Sequence, residues 1–278
     1  MGIRLIAFDL DGTLLKNDKT ISERTMETLQ RAADQGIYLV PSTGRIYEGL
    51  PENIRNLPFI RYTITANGAE VYDAVEKKIL QREELNREES ERIFAYGKGL
   101  DAICGCYQSG KGWMEEAEME QMGEYASSSK LLGLMKQVYI PLKNLPEAIF
   151  LQEPTIQKIQ YYFREVPERD RILPKMKEKF PDLEVSTSLP NNIEINSARA
   201  NKGLGLEFLC KYLGIQTEEC MAFGDGTNDL ALLKKAGRGV AMANADPEVL
   251  EAAAYRTLTN EEDGVAVEIE KYLETEEM

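Results

Sequence analysis

A short apolar run, Ile3 to Phe8, ends abruptly at Asp9. That event recurs along the chain and constrains its fold more than any other feature. Ile37 to Val40 leads into Pro41-Ser42-Thr43-Gly44-Arg45, and Tyr62 to Ala66 ends at Asn67-Gly68. Short apolar runs that close on polar, glycine-bearing turns read as buried parallel strands. Between the first two lies a helical pattern over 22–35, with Met26, Leu29 and Ala33 on one face. Thr20 and Glu23 have the spacing of a capping box, and Gly36 stops the helix. The rhythm returns late in the chain: helix 202–213, strand 221–223 closing on Gly224-Asp225, helix 229–236 and strand 240–242. Strand alternating with helix predicts an α/β fold built on a doubly wound parallel sheet.

Residues 84–187 have a different character. Candidate strands at 101–107, 156–163 and 183–187 lie among charged helical stretches at 87–98 and 168–180. We expect an inserted α+β domain there, with residues 1–83 and 188–278 forming the core.

Composition excludes several classes. There are 47 acidic and 33 basic residues, a net charge of −14, and no histidine. A dedicated nucleic-acid binder needs a basic surface, and so does a protein docking on anionic lipid. Without histidine there is no histidine triad and no imidazole metal site. Any catalysis rests on carboxylates, hydroxyls, amines, thiols or an oxygen-held metal. Cys104, Cys106, Cys210 and Cys220 form no C-x-x-C and fit buried side chains in a reducing cytosol. Asp9 interrupts the opening apolar run, so we expect no signal peptide, and no run reaches a membrane span. We therefore expect a cytoplasmic protein. Residues 261–278 carry eight acids and one lysine, half of the net charge. Val265, Val267, Ile269, Tyr272 and Leu273 recur there at helical spacing, predicting a helix with a solvated acidic face.

In open α/β sheets, ligands bind beyond the carboxyl ends of the strands. Four fragments sit at such ends or at a helix start: Asp9-Leu10-Asp11-Gly12-Thr13, Ser42-Thr43-Gly44-Arg45, Asn201-Lys202-Gly203, and Gly224-Asp225-Gly226-Thr227-Asn228-Asp229. Each alone is weak, because Asp, Asn and Gly are common turn and cap residues. Thr43 could simply end a strand, and Lys202 could be a solvated first-turn lysine. Together they converge carboxylates, a lysine and a hydroxyl, which is what phosphoryl transfer with Mg²⁺ requires. Gly105 to Gly112 nearly fits a phosphate loop, but Gly112 stands where its Mg²⁺-binding hydroxyl belongs. Tyr107, Trp113 and Tyr139 either pack or stack on a flat ring.

The four fragments, in order, resemble the four motifs of the haloacid dehalogenase-like phosphatase superfamily. The long insertion resembles the cap of its Cof-type branch. The resemblance implies a Rossmann-like core with an inserted cap. It implies a Mg²⁺-dependent phosphomonoesterase acting on a small phosphorylated metabolite, such as a sugar phosphate or flavin mononucleotide. It implies Asp9 as nucleophile, Asp11 as general acid and base, and Thr43 and Lys202 on the phosphoryl oxygens. Gly44, Arg45, Asn67 and Asn228 are the further substrate-side candidates. Mg²⁺ is expected on Asp9, Asp11 through its backbone carbonyl, Asp225 and, through water, Asp229. A sugar-phosphate transferase or mutase, or a silent binding protein, is the alternative. Asn201 before the lysine, and Ala in Met242-Ala243-Asn244-Ala245, depart from the usual pattern.

Overall fold

The computed structural model describes residues 2–276. The chain divides into two compact units, one of residues 1–45, 50–82 and 201–278, the other of 46–49 and 83–200.

The first unit is built on a five-stranded, all-parallel sheet in the order Tyr255–Arg256, Arg238–Ala241, Cys220–Gly224, Leu5–Phe8, Tyr38–Pro41. Leu5 to Phe8 is entirely buried, as a central parallel strand covered on both faces must be. The chain leaves this strand toward Tyr38–Pro41 on one side and returns much later to Cys220–Gly224 on the other. The sheet therefore reverses direction at its first strand, the point where α/β proteins bind ligands. A three-stranded antiparallel sheet, Tyr62–Thr65, Glu70–Asp73 and Lys78–Arg82, joins through a Ser42–Ile64 bridge.

Helix Glu23–Asp34 forms as the pattern predicts, but its cap and face differ in detail. Ser22, not Thr20, is the N-cap, accepting from Thr25 N. The buried face runs through Thr25, Thr28, Leu29 and Ala32, because helix Gly264–Glu276 packs on that side. That C-terminal helix does not simply solvate its acids. Glu268 is buried against Arg238, and Glu270 accepts from Arg24 Nε at 3.0 Å and Thr28 Oγ1 at 2.9 Å.

The second unit carries a six-stranded mixed sheet in the order Leu183–Ser186, Asn192–Ser197, Lys158–Phe163, Ala102–Gln108, Lys111–Glu115, Tyr139–Leu142. Strand Asn192–Ser197 is hydrogen-bonded on both sides within it, so residues 188–200 belong to this unit and not to the core as the boundary at 187 had them. One sheet face packs Ile159, Tyr161, Phe163, Ile193 and Ile195 with residues of helices Arg87–Gly97 and Val166–Lys179. Residues 105–112 form a tight hairpin, with Ser109 and Gly110 left-handed, and not a phosphate loop. Tyr107 stacks on Tyr139 at 6.1 Å between ring centres, while Trp113 packs against the apolar cluster. Cys106, Cys210 and Cys220 are buried and Cys104 partly so. Among the described residues no helix is long and apolar enough to cross a membrane.

Candidate active site

All ten residues singled out for the site lie in the first unit. Asp9 follows the central strand, and its N–H still donates to Phe223 O of the neighbouring strand. Asp225 follows that neighbour, so parallel register sets the two carboxylates side by side. Lys202 opens helix Lys202–Leu213, whose N-cap is Asn201, accepting from Leu204 N at 2.9 Å. The unusual Asn before the lysine is thus a helix cap.

Lys202 is completely buried. Its ammonium donates to Asp9 Oδ1 and to Asp229 Oδ1, each at 2.6 Å. Asp229 Oδ2 accepts from the N–H groups of Asp225 and Gly226, at 2.9 and 3.0 Å. Asp225 Oδ1 accepts from Thr13 Oγ1 at 2.6 Å. Carboxylate oxygens of Asp9, Asp225 and Asp229 lie within 4.8 Å of one another. Glycine is required beside them: Gly12 has φ +87°, and a Cβ there would stand 2.3 Å from Asp225 Oδ2.

Three carboxylates and one lysine leave an excess of negative charge in a buried place. The titration follows. Burial pushes the Asp9 carboxyl up to about 7, against the pull of Lys202 and with the repulsion of Asp229 and Asp11. Burial, then Asp9 and Asp229, raise Asp225 well above its ordinary value. Burial works against the Lys202 ammonium, but Asp229 and Asp9 outweigh it and raise its pKa. An all-oxygen donor set short of positive charge fits a hard divalent cation such as Mg²⁺.

Asp11 is held differently. Arg45 donates to both its oxygens, Nε to Oδ2 at 2.7 Å and Nη2 to Oδ1 at 2.8 Å. Lys19 Nζ adds a third bond, to Oδ1 at 2.6 Å. Burial works upward on this carboxyl, but Arg45 and Lys19 prevail and hold it down to about 2. Its side chain is not one of the clustered three.

Thr43 is buried beyond the second strand, its Oγ1 accepting from Arg45 N at 3.3 Å. Gly44 lies between them. Asn67 is buried and left-handed, and its Oδ1 accepts from Asn228 Nδ2 at 3.1 Å. The turn holding it is strained at Ala66 and Asn67, both of positive φ, with Gly68 following at a φ that glycine adopts freely, and Asn67 N donates to Thr43 O at 3.0 Å. Such strain concentrates where a loop must hold a fixed shape for function.

Sequence reasoning missed four contributors. Thr13 was visible within the first motif. Asn244, whose Nδ2 donates to Gly12 O at 2.8 Å, stood in a fragment noted only for its alanine. Asn260, whose N–H donates to Asn244 Oδ1 at 3.0 Å, and Lys19 carried no signal, because their roles arise from the tertiary fold.

The family model for haloacid dehalogenase-like hydrolases matches residues 6–269. The chain is 32% identical to the 5-amino-6-(5-phospho-D-ribitylamino)uracil phosphatase YcsE of Bacillus subtilis, covering 98% of this chain and 96% of that one. It is 30% identical to the phosphatase YwpJ of the same organism, covering 95% and 98%. Among solved structures, a haloacid dehalogenase-like hydrolase from B. subtilis superposes with a TM-score of 0.84 at 27% identity, over 96% of this chain and 99% of that one. Matched along nearly its whole length, the chain belongs to the haloacid dehalogenase-like hydrolases, in their Cof-type phosphatase branch.

Proposed function

We propose that the protein is a Mg²⁺-dependent phosphomonoesterase that hydrolyses a small phosphorylated metabolite through an aspartyl-phosphate on Asp9. The observation that carries this reading is the buried cluster of Asp9, Asp225 and Asp229 around Lys202.

Bound Mg²⁺ would neutralise the excess charge of Asp9, Asp225 and Asp229 and draw electron density from a phosphoryl oxygen. The chain's residues do the rest. Asp9 attacks phosphorus with one carboxylate oxygen while the ester oxygen leaves. Lys202 fixes the attacking carboxylate from one side and has a third N–H to offer a phosphoryl oxygen. The Thr43 hydroxyl, with Gly44 beside it, offers a second donor. Asn67 and Asn228 brace the far rim. Asp11, ionised in the free protein between Arg45 and Lys19, takes up a proton beside the dianionic phosphate, gives it to the leaving oxygen, and then takes a proton from the water that cleaves the acyl phosphate. Asp229 locks Lys202 and the backbone of Asp225 and Gly226 in place.

The unit of residues 46–49 and 83–200 we assign to substrate choice, in line with the cap of the family. Two relatives bear the name of a phosphatase for a ribitylamino-uracil phosphate, at 32% identity each. A polyol or sugar phosphate, alone or joined to a flat ring, is therefore the substrate class to try first. Phosphate release from such esters, with and without Mg²⁺, tests the reading. Wild type should release phosphate only with Mg²⁺, and Asp9→Asn should not. Equal release by both overturns the assignment of Asp9.

A further inference from the structure

We propose that Lys19 is a positioning residue for Asp11. The inference rests on the acid–base role given to Asp11 above.

Lys19 and Arg45 come from separate segments and meet on one carboxylate. Arg45 takes both oxygens and Lys19 takes Oδ1 from another direction. A planar guanidinium alone leaves the carboxylate free to tilt with it, whereas a second cation on one oxygen fixes the pose. Lys19 is built to do this. Its backbone is left-handed, with φ 70°, which a lysine rarely adopts. Such a conformation persists only where the surroundings impose it.

They do so twice over. Within the turn, Lys19 N donates to Lys16 O at 2.8 Å and Lys16 N to Thr20 O at 2.9 Å. Asp18 Oδ1 accepts from the N–H and hydroxyl of Thr20, at 2.9 and 2.6 Å. From outside, the segment 260–263 grips the turn. Asn17 N donates to Glu261 Oε1 at 2.6 Å, and Lys16 Nζ to Glu261 O at 3.0 Å. Asn260 Nδ2 donates to Leu15 O at 2.9 Å. The same segment reaches the other end of the Asp11 loop: Asn260 N donates to Asn244 Oδ1 at 3.0 Å, and Asn244 Nδ2 donates to Gly12 O. The start of the acidic C-terminal region thus braces the turn that aims Lys19.

Pose matters because Asp11 acts twice. As the Asp9–phosphorus bond forms and the ester bond breaks, the proton of the Asp11 carboxyl passes to the leaving oxygen. As water attacks and the Asp9–phosphorus bond breaks, the carboxylate takes the water's proton. Each transfer needs an oxygen within about 2.6–3.2 Å of its target.

The test compares kcat/KM for an alkyl phosphate, whose leaving oxygen needs a proton, with that for 4-nitrophenyl phosphate, whose leaving group does not. This parameter ends at departure of the leaving group, so the aryl ester is blind to Asp11. Asp11→Asn calibrates the split, with a loss of about a hundredfold on the alkyl ester. Lys19→Met should lose about tenfold on the alkyl ester and stay within about twofold on the aryl ester, and Lys19→Arg should restore the first. The loss is smaller than for Asp11→Asn because the carboxylate remains, still held on both oxygens by Arg45. A fall of both values together, or of neither, overturns the proposal. If Asp11→Asn itself shows no split, the acid–base role is what fails. A crystal structure of Lys19→Met then decides Lys19 alone: a displaced Asp11 carboxylate supports it, and an unchanged pose overturns it.

Discussion

Among the described residues two lysines are buried, one in each unit, and both meet carboxylates at 2.6 Å. Lys158 pairs with Glu194, whose Oε1 also accepts from Ser188 and Asn192. The ring of Tyr107 lies 4.8 Å from the Lys158 ammonium. Lys202 instead stands between Asp9 and Asp229, with Asp225 close by. Among the described residues, that cluster is where acids crowd as a metal site requires. A buried ion pair alone carries little functional meaning, since its desolvation cost rivals its Coulombic gain. A buried excess of one sign is costly and persists where a ligand relieves it. The difference separates a balanced ion pair from the cluster we propose as catalytic.

Breaking the balanced pair gives the largest effect on folding. Lys158→Met removes the cation beside the buried Glu194 carboxylate and should lower unfolding stability by about 3–5 kcal/mol in denaturant melts. The double change Lys158→Met/Glu194→Leu should recover most of that loss. A double mutant as unstable as the single one would mean that Lys158 acts mainly through packing.

Lys202→Met should behave in the opposite way. Phosphate release should fall about 10²–10³-fold, the scale of one lost donor to developing charge. Its stability deficit should shrink as Mg²⁺ is added, whereas that of Lys158→Met should not respond.

The pH dependence has a fixed sign. In the metal-free protein Asp9 has its pKa raised to about 7. The stability tied to its protonation is present below the unfolded carboxyl value of 3.8 and is lost as pH rises through about 7. Mg²⁺ competes with those protons. Its stabilisation, about 2.7 kcal/mol at a hundredfold excess over Kd, should be larger near pH 8 than near pH 5.5 in thermal melts. An equal shift at both pH values would remove Asp9 from the ion's ligands.

Gly12→Ala is the mildest probe. Its strained φ costs about 1 kcal/mol, and the new Cβ would crowd Asp225. Mg²⁺ affinity should weaken with little change in the Lys158 region, seen by hydrogen exchange.

Much of the candidate site was legible because three of its four fragments follow strand ends and the fourth opens a helix. Asp9, Thr43 and Asp225 owe their places to parallel register, which short apolar runs announce. Lys19 was not legible, since a left-handed lysine in a braced turn leaves no pattern in sequence. The boundary at 187 failed for a related reason. Strand Asn192–Ser197 turns only Ile193 and Ile195 to the apolar cluster and buries Asn192, Glu194 and Asn196 on its other face, so the segment reads as polar and resembles a loop. Polar residues that are buried by design defeat rules based on apolar periodicity.

The reading of the site predicts that Asp9 becomes phosphorylated during turnover. Asp11→Asn should slow hydrolysis of the acyl phosphate, so that acid-quenched enzyme carries phosphate on the peptide containing Asp9, detected by mass spectrometry. Phosphate on that peptide, absent from Asp9→Asn/Asp11→Asn, is the predicted result. An enzyme that turns over substrate with no phosphopeptide, or with phosphate on another residue, would rule out Asp9 as the nucleophile.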